Sequence, residues 1–181
     1  GLFEDVALRA GVGAASRNRL GFGCVFVDLD LDGALDLVLV NGHIDEAVRS
    51  LRTGVAHAQP PLLFRNLGNG KFQDIAAAAG ADFARPRVGR GLALLITTNN
   101  GPAVLFRNDQ LAGNRSLRFT LVGTKSNRDA IGARVRIFHD GVTQSRMVKS
   151  GSSYLSQSEL PLTFGVGKRD RVDRVVIDWP S

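Results

Sequence analysis

The sequence predicts a mainly β protein in two parts: a partial β-propeller made of four-stranded blades over residues 1–114, and a small β-sandwich or barrel over residues 115–181. Three observations carry that prediction. Apolar residues recur with a period of two in short runs, and turn residues separate the runs, as in half-buried strands. The first part repeats itself in tandem. From Arg115 the repeat stops and a series of alternating segments with Gly-containing turns takes over.

The first four expected strands are "GCVFVD" (23–28), "LVLVN" (37–41), "PLLFRN" (61–66) and "KFQDI" (71–75). Between the last two, the Asn69-Gly70 pair offers the positive φ angles that a tight hairpin needs. Helix is expected only as single turns, such as "VALRAG" (6–11) and "IAAAAG" (75–80), each stopped by a glycine. The repeat joins these pieces: "GLFEDVALRAG" (1–11) returns as "GKFQDIAAAAG" (70–80), "LLFRN" (62–66) as "VLFRN" (104–108), and "LVLVNG" (37–42) as "LLITTNNG" (94–101). A lone four-stranded sheet leaves both faces uncovered, so tandem copies point to stacked propeller blades. Gly1 to Val6 would then close one blade, residues 21–75 form a second, and residues 89–108 begin a third. Aligning Gly21–Val25 with Gly89–Ala93, and Leu37 with Leu94, leaves Phe26 to Asp36 without counterparts. Either the second copy has lost this loop in evolution or a segment is missing between Ala93 and Leu94; the close match of the flanking strands favours the second, and a second ion site is not expected from the residues present. The opening "GLFEDV" reads as the middle of a fold, so a fragment is expected too.

In the second part, "SLRFTLVG", "ARVRIFHDG", "QSRMVKSG", "PLTFGVG" and "DRVVIDWP" supply the strands, and the boundary falls near "NDQLAGN" (108–114). The net charge of +6 arises here: residues 1–114 hold 11 basic and 11 acidic side chains, residues 115–181 hold 12 and 6. The basic residues alternate with apolar ones, which is the solvent face of a strand rather than a polyanion-binding patch, and nucleic acid is not an expected partner. No run approaches the roughly 20 apolar residues that a spanning helix requires. Cys24, alone of its kind, cannot form an internal disulfide and is expected as a small buried hydrophobe.

The sharpest local feature is "DLDLDGALD" (28–36), which crowds Asp28, Asp30, Asp32 and Asp36 into nine residues. Two carboxylates about 4 Å apart repel by roughly 1 kcal/mol in water and by more near a low-dielectric surface. A positive guest is therefore expected. The pattern D-x-D-x-D-G-x-x-D offers carboxylate ligands at its first, third, fifth and ninth positions, and the Ala34 carbonyl at the seventh can complete the set. Ca²⁺ takes six to eight oxygens in flexible geometry, and Gly33 permits the bend around it; Mg²⁺ fits less well. An EF-hand would need a bidentate Glu where Leu39 stands. At the affinity typical of extracellular modules, about 10⁻⁴ M, ~1 mM Ca²⁺ would add roughly 1.4 kcal/mol, the size of a structural clip.

These residues resemble a known family. "FGCVFVDLDLDGALDLVLVNG" (22–42) resembles an FG-GAP or VCBS repeat, the calcium-binding hairpin of integrin α-subunit propellers and many secreted bacterial proteins, and "PLLFRNLGNGKFQDIAAAAG" (61–80) continues that pattern. "VGTKSNRDAIGARVRI" (122–137), "VKSGSSYLSQSE" (148–159), "LTFGVG" (162–167) and "VVIDWP" (175–180) resemble the ASPIC/UnbV module that follows such propellers in cartilage acidic protein-like proteins. The resemblance implies a calcium-stabilised propeller, extracellular or periplasmic, that serves adhesion or binding of a protein or glycan. It also implies calcium-ligand roles for Asp28, Asp30, Asp32, Asp36 and the Ala34 carbonyl.

Two other classes compete with the binding module. An extracytoplasmic or natural-product biosynthetic enzyme on the same propeller would use His43, Asp45 and Glu46 of "NGHIDE" as acid and base; buried, converging groups there would favour it, whereas an exposed loop would favour the binder. An architectural surface or filament subunit would self-associate through exposed strand edges. The serines of "SGSSYLSQS" (150–158) lack a nucleophile-elbow pattern and are expected to satisfy turn amides, and Asn99 to Gly101 are expected as a turn.

Overall fold

The computed structural model describes residues 2–48, 54–92, 95–98, 101–106, 113–153 and 156–180. The chain forms two compact units. The first comprises Gly1–Val27, Leu35–Asn108 and Ser153–Ser156; the second comprises Asp28–Ala34, Asp109–Ser152 and Gln157–Ser181.

In the first unit, β1 (Gly21–Val27), β2 (Asp36–Asn41), β3 (Leu62–Asn66) and β4 (Phe72–Asp74) make a four-stranded antiparallel meander in the order β1-β2-β3-β4. Each lies within two residues of the span its alternation predicts. Val27 pairs with Asp36, so the aspartate-rich stretch is the loop of the first hairpin. β2 is covered on both faces. Leu37 joins Leu62 and Phe64 in a cluster packed against Val12, Ala15, Leu39 and Phe72, and Val12 and Ala15 come from the short helix α1 (Gly13–Ser16) and its N-cap. On the opposite face the Val40 side chain leaves no room for a Cβ at Gly89.

Gly89 begins the second sheet, β5 (Gly89–Leu92), β6 (Leu95–Thr98) and β7 (Val104–Leu105), again an antiparallel meander in the order β5-β6-β7. The tandem repeat is thus visible as structure, since β5 to β7 occupy the segments that align with β1 to β3. The expected gap at Ala93 and Leu94, and the turn at Asn99 and Asn100, lie outside the described residues. Four antiparallel sheets make the protein mainly β, and neither a closed propeller nor a closed barrel is formed among the described residues.

Three local expectations change. Residues 2–6 are irregular rather than a closing strand, and Leu2 and Phe3 are almost fully exposed. In the β3–β4 connection positive φ falls at Gly68 (77°) and Gly70 (73°) rather than at Asn69; Asn69 instead uses its Oδ1 to accept the Lys71 N–H at 3.1 Å. Cys24 is exposed, because its position on β1 points away from the buried side of that strand. The glycine stops do hold: Gly11 has φ 86°, and Gly80, at φ 101°, ends the 3₁₀ turn Ala76–Ala79 ahead of helix α2 (Ala81–Ala84).

The second unit contains β8 (Arg115–Phe119), β9 (Arg134–His139), β10 (Val142–Met147), β11 (Leu162–Gly167) and β12 (Arg174–Asp178), arranged as a β10-β9-β12 sheet and a β11-β8 pair. Both contribute to one core of Ala130, Ala133, Val135, Ile137, Val148, Leu162, Phe164 and Val166. Inward Val135 and Ile137 alternate with outward Arg134 and Arg136, so period-two patterning sends the basic residues to solvent. There Arg136 pairs with Asp178 (2.9 Å) and Arg118 with Glu159 (2.6 Å).

Candidate metal centre

Strands β1 and β2 are held in register up to the Val27–Asp36 pair, so the intervening residues must reverse direction within one short loop. The reversal uses left-handed backbone at Leu31 (φ 57°) and Gly33 (φ 101°). At Leu31 this costs about 1–2 kcal/mol, because a Cβ crowds the following carbonyl in that region. The loop then closes on its own amides: Asp28 Oδ2 accepts from Gly33 N at 3.1 Å, and Asp32 Oδ1 accepts from Ala34 N at 2.8 Å.

The result brings three carboxylates together. Asp28, Asp30 and Asp32 each offer an oxygen, and these oxygens lie within 4.8 Å of one another. Asp28 is only 9% exposed. Its Oδ2 is satisfied by Gly33 and by the N–H of Gly165, 3.0 Å away, whereas its Oδ1 is buried without a hydrogen-bond partner. Burial, and secondly the Asp32 charge, raise the Asp28 pKa from 3.8 to about 6 against the opposing pull of the two N–H donors and Arg146. Leaving a buried carboxylate oxygen unpaired is costly, and the half-buried Arg146 guanidinium offsets the Asp28 charge only in part. An oxygen-seeking cation fits this donor set. It would take the orphaned Oδ1 and relieve the mutual repulsion at once.

Asp36, the fourth carboxylate of the motif, sits in β2 at 4% exposure, and its Oδ1 accepts from Asn66 N at 2.9 Å. Asn66 Nδ2 in turn donates to the Leu35 carbonyl at 2.9 Å. This oxygen of Asp36 therefore ties β2 to β3. Ala34 takes part through its N–H to Asp32.

Sequence reasoning did not find the residues that hold the loop from outside. Within the second unit, Gly165 N donates to Asp28 Oδ2, Gly167 N donates to the Leu31 carbonyl at 2.9 Å, and Asn114 Nδ2 donates to the Asp30 carbonyl at 2.8 Å. A Cβ on Gly165 would collide with Asp28 Oδ2 and the Leu31 backbone, and one on Gly33 would come within 2.8 Å of Gln144 Nε2. Buried Gln144 donates from Nε2 to the Gly165 carbonyl at 2.8 Å, with His139 Nε2 3.0 Å away. No local signal marks these residues, because Asn114 and Gly165 lie 84 and 137 positions from their partners.

The other candidate groups are placed differently. In the "HIDE" loop, His43 Nδ1 accepts from Asp45 N at 3.1 Å and Asp45 Oδ1 accepts from Ala47 N at 2.8 Å, while Asp45, Glu46 and Ile44 are exposed. The loop spends these polar atoms on its own backbone. Ser153 Oγ likewise accepts an amide, that of Cys24, at 2.7 Å.

Residues 123–181 match the family model described as ASPIC and UnbV, about a third of the chain. None of the curated proteins matches this chain. No helix among the described residues is long and apolar enough to cross a membrane.

Proposed function

We propose that this chain binds Ca²⁺ through Asp28, Asp30 and Asp32, and that it works as an exported binding or adhesion module for a protein or glycan. In this reading the repeated meanders are blades of an FG-GAP/VCBS-type propeller, and the ASPIC/UnbV-matching segment follows it. The observation that carries the metal assignment is the buried, unpartnered Asp28 Oδ1 beside two further carboxylates within reach of one ion. Calcium suits the site better than magnesium because it tolerates irregular coordination from a bent loop, whereas magnesium demands a near-ideal octahedron and sheds water reluctantly. The Ala34 carbonyl is the further ligand that the motif supplies, while Asp36 Oδ1 accepts the amide of Asn66.

The binding role, rather than catalysis, is supported by the "HIDE" loop. Its carboxylates are exposed and its imidazole caps the turn, so the acid and base of an enzyme do not converge there. Isothermal titration of the metal-stripped chain tests the metal assignment. The expected result is a single Ca²⁺ site with a Kd of about 10⁻⁴ M, weaker binding of Mg²⁺, and at least about tenfold weaker Ca²⁺ binding in Asp30→Asn. Absence of binding at millimolar Ca²⁺ would overturn it. Glycan and protein binding screens, run with calcium and after its removal, test the recognition role.

A further inference from the structure

We infer that the C-terminal β module is part of the calcium site's machinery: Gly165, Gly167 and Asn114 are positioning residues for the ion-binding loop, so that calcium binding and consolidation of β11 are thermodynamically linked. This rests on the calcium reading above and extends it to residues that the motif does not contain. Every contact involved lies within the second unit, to which the loop Asp28–Ala34 belongs.

Three donors from the second unit, Gly165 and Gly167 of the C-terminal module and Asn114 just before it, fix three successive parts of the loop. Gly165 N holds the Asp28 carboxylate by Oδ2, leaving Oδ1 as the free ligand atom. Asn114 Nδ2 holds the Asp30 carbonyl, and Gly167 N holds the carbonyl of Leu31, the residue in strained left-handed backbone. Between the two glycine donors β11 breaks its regular pairing with β8, the register shifting between Gly165 and Gly167. In an antiparallel ladder alternate N–H groups point away from the partner strand, and on β11 the N–H groups of Gly165 and Gly167, two residues apart, are the ones that reach the loop. The absence of a side chain at Gly165 lets Asp28 and Leu31 approach this closely, and Gln144 braces the same glycine from its carbonyl side.

Linkage requires reciprocity. If the module orders the loop for the ion, the ion must stabilise the module by the same factor. Asn114→Ala removes one neutral hydrogen bond at a partly buried position away from the core cluster, and is expected to weaken Ca²⁺ binding by about 3- to 10-fold. Gly165→Ala is expected to weaken it by more than about tenfold. In the wild-type chain, saturating Ca²⁺ should slow amide hydrogen exchange at Gly165 and Gly167 by a factor that shrinks in Asn114→Ala. Wild-type binding with unchanged affinity in Asn114→Ala, and no calcium effect on exchange in β11, would overturn the linkage and leave the calcium site standing. Failure of the wild type to bind Ca²⁺ would overturn both. Should Gly165→Ala not fold, Asn114→Ala and the exchange measurement decide the matter.

Discussion

Asp28 has two oxygens in unequal circumstances, and its titration exposes the difference. In the metal-free protein its pKa is raised to about 6, first by burial and then by Asp32. The folded state therefore holds the proton more tightly than the unfolded chain does, so this group's contribution to stability is fully present below about pH 4 and is lost as pH rises through about 6. Asp28→Asn stays neutral throughout. The stability of the ion-stripped wild type relative to Asp28→Asn is thus expected to fall between about pH 4 and pH 6, as thermal melts at a series of pH values would show. With Ca²⁺ present the trend should reverse, because the ion requires the carboxylate. A pH-independent difference between the two proteins would mean that Asp28 is not held in a desolvated position.

At the scale of elements, strand β11 serves two purposes at adjacent residues. Phe164 is fully buried, edge-on to Phe119 at 5.7 Å, with the Arg146 guanidinium over its ring at 5.2 Å. Truncation to Ala should cost about 3–5 kcal/mol, measurable by denaturant unfolding, because a ring-sized cavity is left in a closely packed core. The next residue, Gly165, faces the aspartate loop. The strands themselves were largely legible in the sequence, since the four runs of the first sheet became strands within two residues of their expected limits, whereas "SLRFTLVG" (116–123) stopped at Phe119 and "QSRMVKSG" (144–151) gave a strand ending at Met147. The D-x-D-x-D-G core of the motif did gather its first three carboxylates. What could not be read was pairing over long separations. Nothing near Asp28 announces a donor 137 positions away, and nothing in the ninth position of the motif reveals that Asp36 Oδ1 accepts the amide of Asn66. Exposure of Cys24 escaped for a related reason: apolar neighbours in "CVFV" say which residues alternate, not which face is covered.

For the whole molecule, the expected energetic effect of calcium is modest. At ten times its Kd the ion adds about 1.4 kcal/mol, and for a chain of this size each kcal/mol moves a melting temperature by roughly 2–4 °C. Scanning calorimetry with and without about 1 mM Ca²⁺ should therefore show a rise of about 3–6 °C in the transition of the unit that contains residues 28–34. An unchanged thermogram, with removal of the ion verified, would contradict the clip. The two units also trade segments: seven residues from the first hairpin, Asp28–Ala34, count with the C-terminal strands, and Ser153–Ser156 counts with the N-terminal ones. Recombination that transplanted residues 109–181 as a cassette would carry off the socket and leave its plug behind. A chimera meant to keep these contacts would have to carry residues 28–34 along with Asn114, Gly165 and Gly167.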